Sequence, residues 1–119
     1  MSVASKLQIK PGQSVAVING PPGVDLELSA ESPAADDPAK ADVVICFCTD
    51  RAELDARGAP AVEAAKRDAL SWVAYPKAGR LGTDLNRDTL AEILRARGTQ
   101  PVRQIAIDDT WSALRFRPA

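Results

Sequence analysis

The chain has 119 residues, is 45% hydrophobic and 26% charged, and carries a formal net charge of -1 with no histidine. That size predicts one domain with a core that needs neither metal nor disulfide support, and the even charge excludes a general pull toward nucleic acid or anionic membrane. Lack of histidine removes every Ser-His and Cys-His mechanism together with all histidine metal sites.

Nothing approaches the roughly 18 apolar residues of a membrane span. Residues 1–10 show no secretory apolar stretch, so a cytoplasmic location is expected.

Lys10-Pro11-Gly12-Gln13 is a turn signal. Val15 to Ile18 follows as a strand apolar on both faces, the pattern of a covered inner strand. It runs into the rigid loop Asn19-Gly20-Pro21-Pro22-Gly23. Val24 to Leu28 alternates, but it is too short for periodicity to separate a strand from a helical turn. Residues 29–40, rich in alanine, proline and acid, read as a mobile surface loop.

Ala41 to Cys48 is the clearest buried strand. Its two cysteines, Cys46 and Cys48, fall on one face and read as packing thiols. Asp50 and Glu53 have capping-box spacing and open a helix. Gly58 interrupts that helix, and Pro60 suits the first turn of a second one through Lys66. Leu70 to Pro76 is a further buried strand. A helix over 84–97 is predicted next, capped by Thr83 or Asp84 and stopped by Gly98, with Leu90, Ile93, Leu94 and Arg97 on one stripe. Val102 to Ile107 and Trp111 to Phe116 flank Asp108-Asp109-Thr110 as a β-hairpin. The order predicts an α/β fold: a single small Rossmann-like domain over 1–119, its sheet mostly parallel and finished by a C-terminal antiparallel hairpin.

Lys10-Pro11-Gly12, Val17 to Gly23, Trp72-Val73-Ala74-Tyr75-Pro76-Lys77, Thr83-Asp84-Leu85-Asn86 and Asp108 to Leu114 together resemble a bacterial family of small proteins that carries only a domain-of-unknown-function label. That resemblance implies no activity. It makes residues after Gly23 look more like a short helix than a strand. The order of elements also resembles class I methyltransferase-like Rossmann proteins, which implies S-adenosylmethionine near the loop after the first strand. Here that loop departs from the pattern: Pro21 and Pro22 stand where flexible glycines and donor N–H groups belong. No bound cofactor is therefore expected. Glu27 is the only acidic residue in a position to hold a ribose.

In a doubly wound sheet, ligands lie beyond the carboxyl ends of the strands. That rule gathers Asn19, Pro21, Arg51, Tyr75, Lys77, Asp84, Asp108, Asp109 and Trp111 as binding candidates, with Asn86 close to Asp84. Such a rim suits a small anion or a peptide. Plain structural roles account for the same residues: Asp50, Thr83 and Asp84 as caps, Asp108 and Asp109 as turn formers, Trp72 and Trp111 as packing. Lys77 is the one rim amine with nucleophilic potential, and Asp84 with Asp108 or Asp109 is a possible carboxylate pair for acid–base work or Mg²⁺. No metal site and no phosphate-cradling glycine motif is present in the pattern.

The sequence thus leads to a non-catalytic binding or interaction module. A small enzyme, or a nucleotide or S-adenosylmethionine binder using the rim, is the alternative. Its partner is expected to be a protein or small molecule, with neither nucleic acid nor membrane, and homodimerisation through the C-terminal hairpin is a further expectation.

Overall fold

The computed structural model describes residues 2–28, 30–77 and 79–119. Ser29, where the mobile loop was expected to begin, lies outside the described residues.

Five strands, β1 (Val15–Ile18), β2 (Val43–Phe47), β3 (Leu70–Pro76), β4 (Thr99–Ala106) and β5 (Trp111–Pro118), form one sheet in the order β1-β2-β3-β5-β4. Val15, Val44 and Val73 stand on neighbouring parallel strands. The expected sheet, mostly parallel with a hairpin finishing one edge, is not what forms. β1–β2 and β2–β3 are parallel, whereas β3–β5 and β4–β5 are antiparallel.

Two physical reasons account for this correction. Only residues 107–110 join β4 to β5, too few for a parallel crossover. And β5 buries Trp111 to Leu114 and Phe116, so it needs cover on both faces and takes an interior place. β4, with Gln100, Val102, Arg103, Gln104 and Ala106 exposed, goes to the edge instead.

The helices do not wrap both faces either. α2 (Arg51–Arg57), α3 (Ala59–Lys66) and α4 (Arg87–Arg95) bury Leu54, Ala61, Ala64, Ala65, Leu90 and Leu94 against one face, where Val44, Cys46, Val73, Leu114 and Phe116 point. The second face is sealed by the four-residue α1 (Val3–Lys6) and the chain around Leu26. There Leu7, Val43, Ile45, Phe47, Trp72 and Ala113 form a second core layer, and the Trp72 indole N–H donates to the Leu7 carbonyl at 3.0 Å.

β1 lies at the sheet edge and no α-helix of the described residues joins it to β2, so the sheet has no reversal of strand order beside its first strand. A Rossmann-type crevice needs that reversal. Neither a Rossmann-like nor a methyltransferase-like architecture describes this arrangement.

Local signals set most boundaries. Asp50 Oδ1 accepts from the Glu53 amide at 2.9 Å, and Glu53 reaches back to the Thr49 amide at 2.6 Å, one residue earlier than the usual box. Gly58 separates α2 from α3, and a Cβ there would stand 2.5 Å from the Leu54 carbonyl oxygen. The cap of α4 is Asn86, whose side chain accepts from Thr89 N at 2.8 Å, rather than Thr83 or Asp84. Thr83 Oγ1 instead accepts from Leu85 N, turning buried Leu85 into the core. Val24 to Leu28 forms neither strand nor helix. Glu27 takes a left-handed φ of 54°, and its carboxylate accepts from Val3 N at 2.9 Å, which pins α1 over the sheet.

Residues 33–35 bridge to Val15, and Pro38–Lys40 makes one 3-10 turn. No helix of the described residues is long and apolar enough to cross a membrane.

Candidate functional site

The carboxyl ends of β1, β2 and β3 share one end of the sheet with the 107–110 connection, because Pro76 at the end of β3 pairs with Trp111 at the start of β5. The rim divides into two halves with different chemistry.

On the β1–β2 side most of the polar groups are already paired, the exposed Arg51 guanidinium excepted. Asn19 Nδ2 donates to the Phe47 carbonyl at 2.9 Å, tying the ends of two strands together. Asp50 and Glu53 close the start of α2. The Arg51 amide donates to Asp84 Oδ1 at 2.9 Å, joining α2 to the loop before α4. The Thr49 amide holds the Glu53 carboxyl below the usual carboxylate range, with Asn19 and Arg57 adding to it and partial burial opposing. Pro21 is half-buried and contributes no polar group. Beneath this half, Cys46 and Cys48 are both buried, their sulfurs 3.6 Å apart and reduced. Contact with the Cys46 sulfur and burial push the Cys48 thiol far up.

Asp108 is likewise occupied, accepting from the Thr110 and Trp111 amides at 2.8 and 2.7 Å, while Asp109 is exposed. Trp111 is buried edge-on against Phe47, ring centroids 5.2 Å apart, so it packs instead of offering a stacking surface. Among the described residues no group of His, Cys, Asp and Glu assembles that could hold a metal ion.

On the β3–β5 side an open cleft of about 210 Å³ is lined by Tyr75, Lys77, Asn86, Arg87, Gln104 and Ser112. Three pieces of structure build it. β3 delivers Tyr75 on the helix-covered face and Lys77 just past its end, where the Lys77 amide donates to the Thr110 carbonyl at 2.7 Å. Asn86 and Arg87 start α4. Gln104 and Ser112 come from β4 and β5, and Gln104 reaches this face because the register shifts between Pro101 and Arg103. The extra residue, Val102, re-aims everything after it by one place.

Gln104 Nε2 donates to the Tyr75 hydroxyl at 2.9 Å. The phenol accepts there and retains its own proton to give. Burial raises its pKa, Arg87 opposes that, and Asp88 adds to it, so at neutral pH Tyr75 is a neutral donor. The Lys77 ammonium, the Arg87 guanidinium and the Ser112 hydroxyl have no ion pair or hydrogen bond among the described residues. Donors of both charged and neutral kinds therefore converge on one opening, beside the positive end of the nine-residue α4. Asp88, in the first turn of that helix, is the counter-charge at its margin.

A larger hollow of about 420 Å³ lies between α3 and the end of α4, but it sets Glu63 beside Lys66 and is otherwise aliphatic apart from Arg97. Arg97 is already engaged by Asp55 at 2.6 Å. It collects no comparable set of free donors.

Of the rim residues expected from sequence, Tyr75, Lys77 and Asn86 meet in the cleft. Asn19, Pro21, Arg51, Asp84, Asp108, Asp109 and Trp111 lie outside its lining. Arg87, Gln104 and Ser112 had no sequence signal, since each enters only through tertiary placement: the packing of α4, the bulged register of β4, and the pairing of Ser112 on β5 with Tyr75. No family model and no curated protein matches the chain.

Proposed function

We propose that the chain is a non-catalytic binding module that takes an anionic group, carried by a small molecule or a peptide end, in the cleft between β3, α4 and the β4–β5 pair. The observation that carries this reading is the convergence of Lys77, Arg87 and Ser112, unpaired among the described residues, with a Tyr75 hydroxyl that accepts from Gln104 and keeps its own proton to donate. A charge-assisted hydrogen bond is roughly twice as strong as a neutral one, and Lys77 and Arg87 supply two such donors. Among the described residues no carboxylate lines the cleft. Asn86 is spent on its helix, and Gln104 and Ser112 do not titrate.

Thermal unfolding with inorganic phosphate, acetate, nucleotides and S-adenosylmethionine tests it. A ligand at 100 times its dissociation constant stabilises by about 2.7 kcal/mol. Phosphate or acetate stabilises the wild type and fails to stabilise Lys77→Ala with Arg87→Ala. An anion shift that survives in that double variant overturns the reading. The alternative, a small enzyme or a nucleotide or S-adenosylmethionine binder, gains from a shift with those ligands that depends on Asn19 rather than Lys77, or from any turnover of the bound ligand.

Self-association through the β4–β5 pair is a second reading. The open edge of β4, where Val102 is 47% exposed, favours it, and the like-charged Arg103–Arg115 pair beside that edge opposes it. Sedimentation giving a monomer at high concentration removes it.

A further inference from the structure

On the sheet face that α1 covers, at the end away from the cleft, arginines stand side by side. Arg103 of β4 is directly opposite Arg115 of β5, and Arg117 follows on the same face two residues along. Asp68 is the acid that answers them, bonded to Arg117 at 3.1 and 3.2 Å. Arg115 gives Nη1 to Gln8 Oε1 at 2.7 Å, while its Nε is buried with no partner. Burial first, then Arg117 and Arg103, draw Arg115 below the usual arginine value, with Asp68 opposing. Arg103 itself is exposed and makes no ion pair or hydrogen bond among the described residues. Like charges directly opposite one another destabilise a strand pair. Asp68 compensates Arg117, and Arg103 stands at the edge with no counter-charge among the described residues.

The second observation is the edge. β4 has β5 on one side and, among the described residues, no strand on the other. The bulge at Val102 is what puts Arg103 on the arginine face, since regular alternation from Pro101 would send it to the helix-covered side.

We propose that β4 and this arginine face form a docking edge for an extended acidic segment of another protein. The segment adds to the sheet as a further strand, and its alternate side chains fall on the face of Arg103. There their carboxylates meet guanidinium groups in paired hydrogen bonds. Pro101 has no N–H, so pairing runs along 102–106. An acidic occupant is favoured over a second copy of the chain, which would bring its own Arg103 row to the same edge. Nucleic acid is disfavoured because Phe47, Trp72, Tyr75, Trp111 and Phe116 are all buried, leaving no aromatic surface for bases.

Titration of the isotope-labelled full chain with a short peptide of alternating glutamate and threonine, followed by NMR, tests this. Amides of 102–106 shift and their hydrogen exchange slows. The counterpart peptide with lysine for glutamate produces neither change. Affinity falls roughly tenfold or more in Arg103→Glu, less in Arg103→Gln, and is unchanged in the exposed control Arg95→Gln. Arg103→Gln decides the matter if Arg103→Glu does not fold. The proposal is overturned if the glutamate peptide does not bind, if the lysine peptide binds equally, or if the Arg103 variants bind as the wild type does. Sedimentation showing that the chain alone pairs through β4 overturns it as well.

Discussion

Glu53 shows how one side chain links local structure to pH. Its carboxylate accepts the Thr49 amide and its own amide is held by Asp50, so the charged form is favoured in the folded state. A depressed folded pKa means the unfolded chain binds more protons as pH falls. The contribution of Glu53 is therefore present above the unfolded value of about 4.3 and is lost as pH drops through the lower folded value. Glu53→Gln should lower the melting temperature at neutral pH, and the gap to wild type should shrink as the medium is acidified past that range. A constant gap across the titration would assign the effect to packing instead. Gly58 makes the complementary point in steric terms. Its φ of -78° suits any residue, yet a methyl group would press on the Leu54 carbonyl. Gly58→Ala should cost about 1–3 kcal/mol in chemical unfolding, the usual range for overpacking. At this scale the sequence was readable where chemistry is local. The Asp50–Glu53 spacing announces its cap, but nothing in the sequence singles out Asn86 as the cap of α4, because Thr83 and Asp84 offer the same chemistry a few residues earlier. What separates them is the partner each finds: Leu85 N for Thr83 and the distant Arg51 N for Asp84.

At the level of elements, the bulge in β4 shapes both the cleft and the arginine face. Residues after Val102 alternate out of step with those before it, which sends Gln104 to Tyr75 and Arg103 to Arg115. Deleting Val102 removes only the unpaired residue, so Arg103 should stay opposite Arg115 and Gln104 on the Tyr75 face. The measured consequence is a Gln104–Tyr75 contact that persists in NMR. Loss of that contact would show that β4 slips by one residue once the bulge no longer holds its register. No pattern in 99–106 reveals this, because an edge strand with exposed residues on both sides carries too little hydrophobic alternation to specify its register. The two-sided apolar strands were legible for the opposite reason. Val43 to Phe47 has only one way to hide all its side chains, inside a covered sheet.

For the molecule as a whole, the two faces are covered unequally. Three helices seal one face, while a four-residue helix and the chain around Leu26 seal the other. Leu7, fully buried on that lighter side, receives the Trp72 indole on its carbonyl. Leu7→Ala should therefore cost about 2–5 kcal/mol in chemical unfolding. Tryptophan fluorescence should shift to the red as water reaches Trp72, and an unchanged spectrum would show that the amino-terminal segment is not the seal.

The amino-acid order by itself determined which segments are buried strands, where α2 begins and is broken at Gly58, that Cys46 and Cys48 share a face, and that no histidine chemistry exists. Each of these follows from periodicity, composition or contacts a few residues apart. Only the folded chain decided that β5 lies inside the sheet, that β1 is an edge with no crevice beside it, and that Lys77, Arg87, Ser112 and Tyr75 share one opening. Those outcomes depend on which strand most needs two covered faces, and on a one-residue shift in β4. Both are settled by competition among distant segments for a limited interior, a balance that no stretch of sequence expresses alone.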